Sequence, residues 1–300
     1  FDLEAARRHA ATVEDFAALQ TELERQGWAA FVADGARLPR RAGNDDRPLR
    51  TEPVVPFVSP PELRREVRLP HAGPVAGMAV EGGVTLLCGG GFHGKSTLLR
   101  ALGAAIHPHI PGDGRERVAT RPDAMPVRAE DGRAVHAVDL RPFLHDLPFN
   151  RPVVRFTTSN ASGSTSQAAA ILEAIQGGAR LLLIDEDTAA TNFMIRDGLM
   201  ERLLAREQEP ITPFLERART LWEELGVSSI LVIGGSGEYF RVADRVLLLD
   251  SFRPSDRTAA AREVVREQRR PPVPNDPSAA EAFRRAVDPA ATRLPRGDAG

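Results

Sequence analysis

The sequence predicts an α/β fold whose largely parallel sheet is covered by helices on both faces. Three short apolar runs, 84–88, 181–184 and 229–233, have the length of buried strands, and helical stretches separate them. This alternation is typical of parallel sheets with two buried faces. A glycine-rich segment, 89–94, follows the first strand and opens a helix. Since ligands of such sheets bind at the carboxyl ends of the strands, we expect the functional site there.

An extension precedes this sheet. Apolar residues recur at helical spacing over 2–33, whereas 34–56 is polar and rich in proline and arginine, which indicates a loop. We therefore expect an N-terminal α/β extension over 1–78 and a core over 79–255.

Within the core, helices and strands are expected in alternation after the glycine-rich segment. A loop-rich insertion of mixed charge is expected over 107–155, and an arginine-, proline- and alanine-rich tail, or a truncated further domain, over 256–300. The remaining predicted elements are a helix over 96–106, a helix over 168–175, a helical stretch over about 196–226 and a fourth strand over 246–249.

The composition excludes several classes of protein. The chain has 300 residues, 42% hydrophobic residues and a net charge of -2, so it can bury a core and carries no global basic field. Its single cysteine, Cys88, cannot form an intrachain disulfide, and its apolar surroundings predict a buried core residue. No apolar run approaches 18 residues, and we expect a soluble, cytoplasmic protein without a signal peptide or a membrane-spanning part.

Residues Gly89–Thr97 fit the pattern G-x-x-x-x-G-K-[ST] of a phosphate-binding loop, or P-loop. Lys95 is the only lysine among 39 basic residues, and a compact ammonium suits this position better than a forked guanidinium. We expect Lys95 to bridge the β- and γ-phosphates, Ser96 to hold Mg²⁺ and Thr97 to lie near the α-phosphate. The remaining residues of the predicted cradle are Gly89, Gly90, Gly91, Phe92, His93 and Gly94.

Two acids end the strand predicted over 181–184. Asp185 is expected in the Mg²⁺ shell, which makes the strand a Walker B element. Glu186 stands where an attacking water would lie, and a second carboxylate there indicates a general base or a water-positioning group, hence hydrolysis.

A small, hydroxyl-rich segment, Ser162–Gln167, precedes the helix predicted over 168–175. Its N–H and O–H groups can form a second anion site at a helix N-terminus. The same residues also suit a helix cap within a serine-rich loop, so the residues alone leave both interpretations open.

The order of P-loop, serine/glycine segment and Walker B strand is that of ABC-type ATPases. The chain most resembles the predicted ATPases of the ABC class. The strings that carry this resemblance are GGGFHGKST at 89–97, HIPGDGR at 109–115, NASGSTSQ at 160–167, LLIDEDTAATNFMIRD at 182–197 and ILVIGGSGEY at 230–239. The resemblance implies an ATP-binding ABC-type fold and head-to-tail dimers, in which Ser162, Gly163 and Ser164 contact the γ-phosphate held by the other copy. Asn192 falls at the usual place of the D-loop aspartate.

The chain departs from the ABC pattern at two places. ABC ATPases usually carry a switch histidine after the strand that follows Walker B, but all seven histidines here lie at or before His145. Gly234–Gly237 occupies that place, and Ser236 can hydrogen-bond the γ-phosphate but cannot accept a proton as imidazole does. The segment 107–155 also contains no Q-loop glutamine. The hypothesis that follows is slow or partner-dependent hydrolysis.

The sequence thus predicts a homodimeric ATPase that binds Mg-ATP and releases ADP. RNA or DNA is the expected partner by analogy with other soluble ABC-type ATPases. Two alternatives stay open: an ATP-gated binding module with little hydrolysis, and a small-molecule kinase on a P-loop fold. Phosphate release without an added acceptor distinguishes the ATPase from both.

Overall fold

A computed structural model of the protein describes residues 2–51, 53–147, 152–196, 209–268 and 273–288. Its helices are Leu3–Gln26 (α1), Lys95–Ala104 (α2), Gly163–Gln176 (α3), Thr191–Met194 (α4), Phe214–Leu225 (α5), Thr258–Glu267 (α6) and Pro277–Ala286 (α7). Its strands are Trp28–Ala33 (β1), Arg40–Ala42 (β2), Asp45–Pro48 (β3), Arg64–Leu69 (β4), Gly73–Glu81 (β5), Val84–Cys88 (β6), Val118–Thr120 (β7), Ala124–Val127 (β8), Val135–Val138 (β9), Phe156–Thr158 (β10), Leu181–Asp185 (β11), Ser228–Val232 (β12), Arg245–Asp250 (β13) and Arg253–Asp256 (β14).

The central sheet has six strands in the order β14-β13-β6-β12-β11-β8. All neighbours are parallel except β13 and β14, which form a hairpin. The middle strands β6, β12 and β11 are almost wholly buried, as expected where helices cover both faces. The predicted fold class is confirmed.

A second, antiparallel sheet has the order β4-β5-β1-β7. Helix α2 packs between the two sheets, because one core cluster joins its Leu98 and Leu102 to Met78 of β5 and Ile230 of β12. Helix α1 covers the outer face with Leu19 and Leu23. The predicted boundary at residue 78 falls inside β5, and this sheet combines strands from both sides of it.

The helix predicted over 2–33 is wrong in its last part. Helix α1 ends at Gln26, and Gly27 follows in the left-handed conformation with φ 69°, its N–H bonded to the carbonyls of Leu23 and Glu24. Residues Trp28–Ala33 then form a strand that is buried on every side. A strand buried on both faces shows no alternation of apolar and polar residues, so the periodicity of its sequence cannot distinguish a strand from a helix.

The far face of the central sheet is covered by α3, α5 and α7. Phe143 packs against Phe193 and Phe283, with ring centroids 5.0 Å and 5.3 Å apart. Phe283 belongs to α7, so part of the predicted tail packs on the core. Of the helical stretch predicted over 196–226, the structure describes α5, whereas 197–208 lies outside the described residues, as do 269–272 and 289–300.

Within the described ranges, no helix is both long enough and apolar enough to cross a membrane.

Candidate functional site

The carboxyl ends of β6, β12 and β11 lie side by side at one edge of the central sheet. The register pairs Asp185 with Val232, and Val232 with Leu87. Since neighbouring strands are about 4.8 Å apart, the first P-loop residues lie about 10 Å from the two acids at the end of β11, Asp185 and Glu186. The turn after β12 lies between them. The site predicted from three distant segments is therefore one place in the fold.

The P-loop is shaped by two glycines. Gly89 has φ 136°, and a Cβ there would lie 2.3 Å from the carbonyl oxygen of Leu249 on β13. Gly94 has φ 93° and forms the N-cap of α2. Both positions therefore exclude side chains, either by contact or by conformation. The first N–H groups of α2 have no partner within the helix and face an anion placed at its N-terminus.

Lys95 begins α2 and turns back across the loop. Its Nζ donates to the carbonyl oxygens of Gly89 and Gly90, both at 2.7 Å. The ammonium therefore lies over the loop that would hold the phosphates. Ser96 and Thr97 follow in the first turn of α2 and are half-buried.

The other P-loop side chains differ in their surroundings. Phe92 is fully exposed and has φ 62°, a conformation that bulky residues rarely adopt. The Nδ1 atom of His93 accepts the N–H of Ser251 at 3.0 Å, so the β13–β14 turn supports the loop. A Cβ at Gly90 would lie 3.4 Å from His93, whereas one at Gly91 would meet open space.

Glu186 is held by the turn after β12. Its Oε2 accepts the N–H groups of Gly234 and of Gly235, the latter at 3.1 Å, and its Oε1 accepts the Ser236 hydroxyl at 2.6 Å. Ser236, which the sequence placed at the γ-phosphate, thus contacts the carboxylate in this structure. Asp185 ends β11 and is half-buried.

Cys88 is the last residue of β6, beneath the site. Burial raises the pKa of its thiol to about 11, with a smaller opposing effect of the Lys95 charge. The thiol therefore stays protonated near neutral pH and is unreactive, which agrees with a packing role.

The serine/glycine segment forms the start of α3. Ser162 is the N-cap, but its hydroxyl oxygen accepts no backbone N–H of the first turn; instead the hydroxyl donates to Thr165 Oγ1 at 3.0 Å. Gly163 begins the helix, and a Cβ there would lie 3.2 Å from Asp131 Oδ1. Ser164 is buried, with its Oγ 3.4 Å from that of Ser162. The backbone N–H groups of this turn remain available to an anion.

The serine/glycine segment and the P-loop of the same chain are not joined. In the part of the chain that the structure describes, no hydrogen bond or ion pair links 162–164 to 89–97. Asn192 is exposed on the one-turn helix α4, which follows the Walker B strand. Within one copy the predicted residues therefore form two groups, not one.

An apolar cavity of about 210 Å³ adjoins the P-loop, and the sequence did not predict it. One wall is formed by the P-loop and α2, a second by residues 38–39, 49 and 53–57 of the N-terminal extension, and a third by the β13–β14 hairpin. The lining residues are Leu38, Pro39, Leu49, Pro53, Val54, Val55, Phe57, Gly94, Thr97, Leu98, Leu249 and Phe252. Phe252 is half-exposed there and can present its ring to a flat ligand.

Relatives of the chain include ATP-binding proteins. An uncharacterized protein of Methanocaldococcus jannaschii is 26% identical over 243 residues, which cover 78% of this chain and 53% of that protein. The molybdenum import ATP-binding protein ModC of Brucella abortus is 29% identical over 218 residues, or 62% of this chain and 56% of ModC. The chain thus spans about half the length of these curated relatives.

Among solved structures, cbiO1 from Clostridium perfringens, part of the ABC transporter complex cbiONQ, is 15% identical with a TM-score of 0.45. The match covers 86% of this chain and 99% of that one. The sequence profile of the ABC_ATPase P-loop domain matches residues 2–284, which is nearly the whole chain. The protein therefore belongs to the ABC-type P-loop ATPase family, whose members use ATP with Mg²⁺.

Proposed function

We propose that the protein binds Mg-ATP at its P-loop and hydrolyses it with Glu186 when two copies associate head to tail. The observation that carries the proposal is the meeting of Lys95, Asp185 and Glu186 at one edge of the sheet, with an anion cradle at the N-terminus of α2. The relative ModC is an ATP-binding protein, which supports the choice of nucleotide.

The residues at the site fit a Mg²⁺ ion that is bound mainly by phosphates, rather than a metal site in which protein side chains supply all the ligands. Across the described ranges, no three His, Cys, Asp or Glu side chains converge on one point. Mg²⁺ at P-loops needs only a hydroxyl and a carboxylate, since phosphates and water complete its shell. Ser96 and Asp185 would supply these two groups. When bound, the ion neutralises charge that develops on the phosphates.

Glu186 is proposed to orient and deprotonate the attacking water. Both of its oxygens already accept hydrogen bonds from the turn formed by Gly234, Gly235 and Ser236. These bonds fix the direction of the carboxylate, but a water must compete with them for its lone pairs. This competition, together with the missing histidine, supports slow turnover.

Two features of a single copy support the head-to-tail dimer. The N–H groups at Ser162–Ser164 open a helix and could hold an anion, and among the described residues no hydrogen bond joins them to the chain's own P-loop. Phe92 holds a strained conformation at full exposure on the P-loop, and such strain is common at functional contacts. In a head-to-tail pair, each serine/glycine segment would contact the nucleotide on the other copy, and Asn192 would lie near the same junction.

RNA is the proposed macromolecular partner, by analogy with soluble ABC-type ATPases. The second candidate function is an ATP-gated binding module with little hydrolysis, which the hydrogen bonds around Glu186 favour. Phosphate release measured with Mg-ATP and no acceptor distinguishes the two. Release that exceeds a Glu186→Gln background supports the ATPase. Release equal to that background, with RNA binding that still depends on ATP, supports the gated module.

The apolar cavity beside Gly94 and Thr97 is proposed to take the nucleobase. Its lining side chains include no amide or carboxylate that could read the polar edge of a base. We therefore expect the Kd values for ATP and GTP, measured by calorimetry, to differ by less than about tenfold. Strong discrimination, beyond about a hundredfold, would exclude this cavity as the base site.

Phe252→Ala is expected to weaken ATP binding about 5- to 150-fold, because aromatic stacking on a base contributes about 1–3 kcal/mol. The matched control is Met125→Ala, which truncates an exposed apolar side chain on the opposite edge of the central sheet. Calorimetric titration of both variants with ATP measures the difference. Equal affinities in the two variants would contradict stacking on Phe252.

A further inference from the structure

Buried hydrogen bonds connect helix α3 to the segment that carries Asn192. Gln167, one turn into α3, is fully buried. Its Oε1 accepts the N–H of Ala190 at 2.8 Å, and its Nε2 contacts Met194 Sδ at 3.5 Å. These contacts connect the serine/glycine segment to the residues that follow Glu186, 190–194.

Tyr239 continues this connection to the turn that holds Glu186. Its hydroxyl donates to the carbonyl oxygen of Met194 at 2.6 Å, and the side chain is fully buried. Tyr239 lies in the short 3₁₀ turn Gly237–Arg241, three residues after Ser236, whose hydroxyl donates to Glu186. Three segments distant in sequence thus form one path of hydrogen bonds.

The Tyr239 hydroxyl is a permanent donor in this path. Burial raises its pKa well above the usual value, and the nearby Glu186 carboxylate raises it further. The hydroxyl therefore stays protonated near neutral pH and can donate its bond to Met194 there.

We propose that Gln167 and Tyr239 are positioning residues that link engagement of Ser162–Ser164 by nucleotide to the placement of Glu186. The inference rests on the proposed function, since it requires the serine/glycine segment to bind nucleotide across the dimer. Packed segments held at both ends shift between discrete positions instead of deforming smoothly. A shift of α3 would therefore move α4 and, through Tyr239, the turn at 234–236.

Tyr239→Phe removes only the hydroxyl. We expect kcat for phosphate release to fall about 5- to 10-fold while KM for ATP changes less than about twofold, because the phosphates contact the P-loop. The matched control is Thr220→Val. Thr220 is fully buried and accepts the N–H of Asp276 at 3.0 Å, outside this path. A loss of stability alone would affect both variants alike, whereas the proposal predicts a lower kcat only for Tyr239→Phe. An unchanged kcat in Tyr239→Phe would overturn it.

Gln167→Leu tests whether both residues act along one path. Its kcat is expected to fall by a similar factor. The kcat of the double variant Gln167→Leu/Tyr239→Phe should lie within about twofold of the kcat of the slower single variant. Independent effects that multiply would contradict a shared path.

A spectroscopic measurement on the unaltered sequence tests the coupling even if the substituted proteins do not fold. Because the chain has one tyrosine, fluorotyrosine labels Tyr239 alone. Its ¹⁹F resonance should move when a non-hydrolysable ATP analogue produces the dimer. A resonance that stays in place in a dimer confirmed by light scattering would overturn the coupling while leaving hydrolysis intact. A moving resonance in a protein that releases no phosphate would support the coupling and refute the proposed hydrolysis.

Discussion

Glu186→Gln is expected to reduce steady-state phosphate release by at least about a hundredfold while ATP binding is retained. The amide cannot accept the proton of the attacking water. Its oxygen can still accept the N–H groups of Gly234 and Gly235, and its NH₂ group can donate to the Ser236 hydroxyl, so the local fold is preserved. Phosphate release and calorimetric ATP binding, measured on the same sample, check both parts.

The matched control for this variant is Asp187→Asn. Asp187 is the next residue, its side chain is exposed, and it loses the same charge. Turnover of Asp187→Asn within about threefold of the unaltered protein would assign the effect to Glu186 itself. If both variants lose activity equally, the loss reflects the net charge near the site and the proposed role of Glu186 is wrong.

Lys95→Ala is expected to weaken ATP binding by at least about a hundredfold. It removes the ammonium that lies over the P-loop and leaves two carbonyl oxygens, those of Gly89 and Gly90, without their donor. Charge-assisted hydrogen bonds to phosphate are among the strongest in proteins, so no other residue of the loop replaces this one. Calorimetric titration with Mg-ATP measures the loss.

Two further substitutions sharpen the Lys95 result. Lys95→Arg keeps the charge, yet the wider, planar guanidinium should still weaken ATP binding about tenfold or more. Arg100→Ala removes an exposed cation from the same helix and should leave the Kd within about twofold. If Lys95→Arg binds ATP as tightly as the unaltered protein, charge alone matters and the single lysine has no special role.

The sequence predicted the strands at the site closely. The largely apolar run 84–88 is followed by a glycine, and the observed strand β6 has the same bounds as this run. Asp185 follows the predicted run 181–184, and the observed strand β11 is longer than that run by this one residue. The bounds of such strands can be predicted from sequence, because a buried parallel strand requires apolar residues and the ligand-binding edge that follows it requires polar ones.

Other elements carry no comparable pattern. Strand β8, inside the predicted insertion, exposes its two middle residues and contains Pro126, which is tolerated because β8 is an edge strand. The β13–β14 turn uses Ser251 and Phe252, both with positive φ, where glycine or asparagine is usual. Nothing in the sequence therefore marked Phe252 as part of the apolar cavity.

The path through Gln167 and Tyr239 also could not be predicted. Its hydrogen bonds join residues 23 and 45 positions apart, and such contacts depend on packing rather than on spacing. Tyr239 ends the string 230–239 that carries the family resemblance, but nothing in that string indicates which atom its hydroxyl contacts. Buried polar groups need partners, but the sequence does not reveal which partners the fold supplies.

The central claim is that ATP joins two copies through the P-loop of one and the serine/glycine segment of the other. Light scattering with and without Mg-ATP tests it most directly, on Glu186→Gln, on Lys95→Ala and on the unaltered protein. We predict a stable ATP-dependent dimer for Glu186→Gln, a weaker or transient one for the unaltered protein and none for Lys95→Ala. If Glu186→Gln binds ATP but stays monomeric, Ser162–Ser164 do not engage nucleotide across a dimer, and the account is contradicted.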